Sequence, residues 1–450
     1  MDIFFVSLGC DKNLVDSENM LGILHDNGYS ISDDETSADI IIINTCCFIH
    51  DAKEESINTI LEMAGYKESG KLKALIVTGC LAERYKDEIL KEIPEVDALL
   101  GTAAFTEILQ VVEQVIEGKK YTYFADLKEL PSSRSRRILS TGTHYSYLKI
   151  AEGCDKHCTY CIIPKVRGNY RSRPADELIS EAEYLASQGI KELILVAQET
   201  TLYGTDLYGK KALPDLLKKL CKINGIEWIR ILYCYPEEIT PELIETIRTE
   251  PKICNYLDIP IQHCSDRILK LMGRRTSKND LIRVVNQLRE AVPDITLRTT
   301  LITGFPTETD EEHEELKSFI NKLRFDRLGV FTYSKEEDTP AALLRPQIKA
   351  GVKKKRQKEL MALQQSVVFE KTSSLIGHVF DVIIEGRIAD KENVYVGRTY
   401  MDSPQVDGYI FINSEEEHMS GDMIQARATG SNNYDLMGEI VKGSINNELT

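Results

Sequence analysis

The sequence predicts an α/β protein in three parts: an amino-terminal parallel-sheet domain over residues 1–130, a central partial (βα) barrel with a connector helix over 140–372, and a carboxy-terminal small antiparallel β-barrel over 373–450. Three observations predict this. Up to residue 130, short apolar runs without polar alternation are separated by amphipathic stretches, as in a parallel sheet covered on both faces. From 144 to 343, six such runs alternate with helical patterns, as in successive βα units. After 372 the texture changes to short Val-, Ile- and Tyr-rich runs between Gly, Asp and Asn, the spacing of a five-stranded barrel.

In the first part, strands are expected at 3–8, 39–44 (DIIIIN) and 74–78 (ALIVT), with helices at 16–27, 51–67, 82–92 and 105–117. The stretch 131–142 (PSSRSRR, STGT) has no apolar periodicity and reads as a linker. Central strands are expected at 145–151, 192–198, 228–233, 256–261, 296–303 and 327–333, with helices at 176–188, 280–291 and 311–323 between them. An open doubly wound sheet is the competing arrangement. The connector is a charged helix at 349–370, whose GVKKKRQKE run is a solvated helix face or a phosphate site. The last strands are VFDVIIEG, NVYVGRT, GYIFIN, MIQARATG and LMGEIV.

Composition is that of an ordinary globular protein, 42% hydrophobic and 28% charged over 450 residues. No apolar run reaches twenty residues and the first residues lack a basic signal-peptide region, so a cytoplasmic protein without a membrane partner is expected. In that compartment 11 cysteines point to metal binding or reactivity rather than to disulfides. The net charge of −16 argues against phosphate-backbone binding and for a basic protein partner.

The sharpest motif is Cys154-Asp-Lys-His-Cys158-Thr-Tyr-Cys161, directly after the first central strand. Thiolates are the natural ligands of iron–sulfur clusters. Three of them on a four-iron cluster leave one iron open to the amino and carboxylate groups of S-adenosylmethionine (SAM), whose sulfonium bond an electron can then break. A structural zinc site would need a fourth ligand. His157 is the obvious candidate, but ligation by adjacent His157 and Cys158 is sterically awkward.

A second set consists of Cys10, Cys46 and Cys80, each ending an apolar run (FFVSLGC, DIIIINTC, ALIVTGC). The carboxyl ends of parallel strands share one edge, so these residues are expected to converge there and hold a second [4Fe–4S] cluster. Cys47 is the rival to Cys46, which is preferred because NTC matches LGC and TGC in position. Cys221, Cys234, Cys254 and Cys264 lack such spacing and read as structural.

The triplet with aromatic Tyr160 resembles the signature of the radical SAM family. With the amino-terminal cysteines and the terminal barrel, the whole chain resembles its methylthiotransferases, whose terminal barrel is the TRAM domain. The resemblance implies that the backbone around Tyr160 contacts adenine and that the second cluster holds or supplies sulfur. It implies two SAM molecules, one giving the methyl group and one the radical that removes hydrogen from the substrate carbon, with an electron donor protein and a sulfur donor as partners. Gln198 and Arg298 resemble SAM-contact positions; satisfied buried side chains are the alternative. For His263 a core role outweighs a ligand role. GFPTET at 304–309 either brings backbone N–H groups to SAM or is a turn capped by Thr309.

The opening SLGCDKNLVDSE resembles the branch that acts on a ribosomal protein, as do AEGCDKHCTYCIIPKVRG, VAQETTLYGTD, YLDIPIQH and LITGFPTETD. Glu199, where that branch has Asp, and Thr307, where Gly is common, are departures. From 373 to 450 there are 5 basic and 13 acidic residues. An acidic barrel suits a basic protein substrate better than tRNA. The resemblance therefore implies methylthiolation of an aspartate β-carbon in small-subunit ribosomal protein twelve, with a hypermodified tRNA adenosine as the alternative.

Overall fold

A computed structural model describes residues 1–131, 136–389, 391 and 393–441; the expected linker at 131–142 therefore falls partly outside the described residues. In the amino-terminal part, β1 (Asp2–Ser7), β2 (Ser30–Ser32), β3 (Ile40–Thr45), β4 (Ala74–Gly79), β5 (Ala98–Leu100) and β6 (Tyr121–Tyr123) form one parallel sheet, ordered β2-β1-β3-β4-β5-β6. Every residue of β3 and β4 is buried, which is why their sequences do not alternate. The strand order reverses between β1 and β3, and open α/β sheets bind ligands outside the carboxyl ends at such a point.

The helices differ from expectation at their starts. Asp11–Asp26 begins straight after Cys10, five residues before the expected onset. The stretch expected as one helix at 82–92 is two, Cys80–Arg84 and Lys86–Glu92, broken at Tyr85. The stretch 105–117 opens as a 3-10 helix, Thr102–Glu107, before Ile108–Ile116.

The central part contains β7 (Tyr145–Lys149), β8 (Ala151–Glu152), β9 (Arg171–Ser172), β10 (Glu192–Val196), β11 (Trp228–Ile231), β12 (Ile253–Asp258), β13 (Thr296–Thr303) and β14 (Arg327–Thr332). Six of these run parallel in the order β14-β13-β12-β11-β10-β7, without the reversal that a doubly wound sheet requires. This is the partial barrel. The apolar run at 145–151 splits at Ile150, and β8 leaves the sheet to pair antiparallel with β9. The strand expected at 256–261 lies three residues earlier. Leu148, Leu193, Leu195, Ile229, Leu257, Leu297 and Leu301 pack outward on the helices. Tyr145, Tyr147, Ile194, Val196 and Tyr256 gather on the inner face.

The connector helix, Ala350–Ser374, lies along β14. Gln357 Nε2 donates to the Val330 carbonyl at 2.7 Å and Gln364 Nε2 to the Phe325 carbonyl at 2.8 Å. Lys353 Nζ donates to the Tyr333 carbonyl at 2.6 Å and buried Arg356 pairs with Glu308 at 2.8 Å, so two cations of the GVKKKRQKE run anchor the helix.

The terminal part is a closed barrel of β15 (Val379–Arg387), β16 (Val394–Thr399), β17 (Ile410–Asn413), β18 (Met423–Asn432) and β19 (Asp435–Ile440), ordered β15-β16-β17-β19-β18. One expectation is corrected: β17 and β19 are parallel. Directions cannot alternate all the way round a closed ring with an odd number of strands, so one neighbouring pair has to match. Among the described residues no helix is long and apolar enough to cross a membrane.

The terminal barrel docks beneath the amino ends of the central strands. Glu192 accepts from Arg230 Nε at 2.7 Å and from Arg398 at 2.6 Å, with all three side chains fully buried. Glu192→Ala would leave two buried guanidinium groups without their shared carboxylate. It should destabilise the docked unit by about 3–5 kcal/mol. Chemical denaturation reads this as a lower midpoint; an unchanged midpoint would contradict it.

Candidate active site and thiol clusters

Cys10, Cys46 and Cys80 follow β1, β3 and β4, three adjacent strands, at one edge of the sheet. Two left-handed glycines allow the approach. A Cβ on Gly9 (φ +93°) would lie 2.7 Å from Cys46 Cβ, and one on Gly79 (φ +90°) would lie 2.3 Å from Asn44 Oδ1. Asn13 Nδ2 ties the loops by donating to the Leu8 carbonyl at 3.0 Å and the Thr45 carbonyl at 2.9 Å. Ser56 Oγ accepts from Cys46 N at 3.0 Å and donates to its carbonyl at 2.9 Å.

Burial, then the neighbouring Cys80 and Cys10 thiols, pushes Cys46 up to about 12. Cys80 is also raised by burial, against the pull of Arg167. Cys47 sits in the apolar core with Leu81, Ile162 and Val166 and donates its thiol to the Cys80 carbonyl at 3.2 Å. Cys46 therefore faces the other two thiols, and Cys47 is engaged elsewhere.

The central triplet follows β8. A Cβ on Gly153 (φ +79°) would lie 2.0 Å from the Asn169 carbonyl, so the loop requires glycine there. Cys154 N donates to Gly168 O at 3.1 Å, Thr159 N to Met272 O at 2.9 Å and Cys161 N to Cys158 O at 3.0 Å. Burial pushes Cys154 up to about 12, and burial with the Cys158 and Cys154 thiols raises Cys161. His157 is exposed in a left-handed turn. Tyr160 is raised by burial, with Cys158 and Arg274 as its main electrostatic neighbours. Tyr235 Oη lies 3.9 Å from Cys158 Sγ, and Arg274 stacks over the Tyr235 ring at 4.2 Å.

Burial, then neighbouring thiols, opposes ionisation of Cys46 and Cys80 in one set and of Cys154 and Cys161 in the other. A cationic iron cluster removes that opposition by coordinating the thiolates, so the donor sets fit it. Among the described residues no three Cys, His, Asp or Glu side chains are gathered to hold a single metal ion. A cubane makes a different demand, because each thiolate binds its own iron.

Sequence reasoning missed what lies between the sets. Arg167, ending the helix Ile163–Arg167, donates Nε to Cys80 Sγ at 3.4 Å. Its Nη1 reaches Asp16 at 2.7 Å and Glu152 at 3.2 Å, and its Nη2 reaches Asn13 Oδ1. Lys149 pairs with Asp16, and with Glu152 at 2.8 Å. Burial works against the Glu152 carboxylate, but Lys149 and Arg167 hold its carboxyl well below the usual range. Gln198 Nε2 donates to Glu152 at 2.6 Å, while its Oε1 is buried without a partner among the described residues. The signal available in the sequence was the position of Asn13, Asp16, Glu152 and Arg167 inside the two motif stretches, SLGCDKNLVDSE and AEGCDKHCTYCIIPKVRG.

Arg298 lies on the inner face of β13, level with the end of β12. It pairs with Asp258 at 3.0 Å and with Asp407 of the terminal barrel at 3.5 Å. His263 is fully buried with Nδ1 accepting from Ser265 N at 2.9 Å, and burial pushes it down to about 3. In GFPTET, Phe305 N donates to Glu308 and Thr307 N to Pro346 O. Thr309 caps the helix Asp310–Leu323 in a capping box with Glu312, so the turn uses these donors itself.

A model described as uncharacterized protein family UPF0004 matches residues 2–101, one for the radical SAM superfamily 148–320, and one for the TRAM domain 376–441. A Lachnoclostridium phytofermentans protein named ribosomal protein uS12 methylthiotransferase RimO is 61% identical over 438 residues, 97% of this chain and 99% of that protein. The chain belongs to the uS12 methylthiotransferase family. Members of this family from Acetivibrio thermocellus (50% identical, 98% of each chain) and Clostridium botulinum (48%, 97% of this chain and 98% of that one) carry the same name.

Among solved structures, the radical SAM methyltransferase TsrM from Kitasatospora setae, with cobalamin and a [4Fe-4S] cluster bound, superposes with a TM-score of 0.55 at 14% identity, covering 76% of this chain and 77% of that one. The cobalamin-dependent SAM radical enzyme OxsB gives 0.50 at 13%, covering 81% and 56%. At these identities the likeness is one of fold.

Glu199 ends up buried beside the triplet. It accepts from Thr201 N at 2.9 Å, lies 4.0 Å from Lys156 Nζ, and is pushed up to about 7 by burial. The unfolded carboxyl ionises near 4.5. The folded state therefore binds the extra proton between these values, and stability falls as pH rises through that window. Relative to Glu199→Gln, the cluster-free protein should lose about 2.5 kcal/mol between pH 5 and pH 8. Denaturation curves at the two pH values check this; parallel behaviour of the two proteins would contradict it.

Proposed function

We propose that this protein is a radical SAM methylthiotransferase that attaches a methylthio group to the β-carbon of an aspartate in small-subunit ribosomal protein twelve, uS12, in the cytoplasm. Family membership supports the reaction, and the relatives' name supports the substrate. The observation that carries the reading is structural: two sets of three thiols stand at the carboxyl edges of two parallel sheets, joined by one buried charge network.

In this reading Cys154, Cys158 and Cys161 hold one [4Fe–4S] cluster, and Cys10, Cys46 and Cys80 a second. When bound, the clusters and two SAM molecules supply an electron, a 5′-deoxyadenosyl radical, sulfur and a methyl group. An electron donor protein and a sulfur donor complete the partners.

The chain's own residues orient these groups. The Tyr160 backbone meets adenine, and Gln198 is fixed through its amide nitrogen on Glu152, which leaves its carbonyl oxygen free for SAM. Arg298, held by Asp258 and Asp407, presents a fixed cation on the barrel's inner face for the SAM carboxylate. Exposed Glu415, Glu416 and Glu417 on the terminal barrel suit a basic ribosomal protein.

Reconstituted, reduced enzyme with SAM is offered uS12 or an isopentenyladenosine-containing tRNA under anaerobic conditions, and the products are read by mass spectrometry. The expected result is methylthio mass on a uS12 aspartate with release of 5′-deoxyadenosine. Modification of the tRNA alone would overturn the substrate.

A further inference from the structure

The buried Arg167 is more than part of an ion-pair network. It comes from the central part, one turn of helix after Cys161, yet its Nε points at Cys80 Sγ in the amino-terminal part, 3.4 Å away. Its side chain is 3% exposed and each of its three nitrogens has a partner. Among the described residues it is the one charged side chain that hydrogen-bonds a sulfur of the six proposed ligands.

The opposing charges explain why a guanidinium stands there. Asp16 and Glu152 carry two negative charges, and Lys149 and Arg167 two positive ones, so the network is internally neutral. The guanidinium is thus not required merely to balance charge at the thiols; its specific contribution is a directed N–H toward one sulfur. A lysine ammonium could not reach Cys80, the two carboxylates and the Asn13 amide at once from one planar fork. Hydrogen bonds to cluster sulfurs raise the reduction potential by stabilising the more negative, reduced state.

The opposite side of Arg167 leads to Gln198, the proposed SAM contact. Glu152 accepts both Arg167 Nη1 and Gln198 Nε2, so the ligand sulfur of one cysteine set and a proposed SAM contact of the other are separated by two side chains.

We propose that Arg167 is the positioning residue that sets the reduction potential of the amino-terminal cluster and ties it, through Glu152 and Gln198, to the SAM side of the barrel. This rests on the reading that Cys10, Cys46 and Cys80 hold a cluster.

The test uses the full chain with Cys154, Cys158 and Cys161 replaced by alanine, so that the amino-terminal cluster alone gives a signal. Iron per chain is measured, and the potential is followed by titration with electron paramagnetic resonance. Arg167→Gln should move the potential to more negative values with cluster iron retained. Arg167→Lys, which keeps the buried charge where the glutamine variant fails to fold, should move it in the same direction by less. A potential unmoved in both variants, with iron retained, overturns the assignment of Arg167 and leaves the second cluster standing. An iron-free parent chain overturns the second cluster and this assignment with it.

Discussion

Two parallel sheets meet carboxyl edge to carboxyl edge, and four buried charges hold them in register: Asp16 from the first helix, and Lys149, Glu152 and Arg167 from the start of the barrel. Removing charges from water is costly, and an apolar interface of the same shape would be at least as stable. A charge network adds direction. Each carboxylate accepts from both cations, and Arg167 is aimed by them at Cys80. The helix that follows the central triplet is therefore fixed to Cys80 by an interaction specific to these side chains, on a scaffold whose strand ends already gather ligands at one edge.

The same economy operates at the other end of the barrel. Docking of the terminal barrel uses much of its polar surface: Arg398 on Glu192, Asp402 on Arg327, and Asp407 on Tyr256 and Arg298. Part of the tail's acidity is thus spent internally. Among the described residues of this barrel, Asp381, Glu415, Glu416, Glu417 and Glu439 remain exposed. Through Asp407 the terminal barrel also reaches Arg298 on the central barrel's inner face.

Much of this was legible in the sequence for definite reasons. Cys10, Cys46 and Cys80 each end an unalternated apolar run, and parallel sheets put such ends on one edge, so convergence could be read from three distant positions. The triplet at 154–161 is local and carries its chemistry in its spacing. Three strands of three residues each, Ser30–Ser32, Ala98–Leu100 and Tyr121–Tyr123, were too short to show a period. The parallel β17–β19 pair follows from ring closure, which strand-by-strand reading does not see. Arg167 was invisible as a sulfur partner because its target lies 87 residues away in the other part. No periodicity encodes such a contact. The same holds for Asp407 and Arg298, which only the docked barrels bring together.

The central claim is that each set of three thiols holds its own cluster. The most direct measurement is iron and acid-labile sulfide per chain, with Mössbauer spectra, in anaerobically reconstituted full-length protein with either cysteine set replaced by alanine. The account predicts that each replacement removes about half of the iron as one intact four-iron cluster and leaves the other cluster's spectrum unchanged. Iron content indifferent to the loss of Cys10, Cys46 and Cys80 would contradict it.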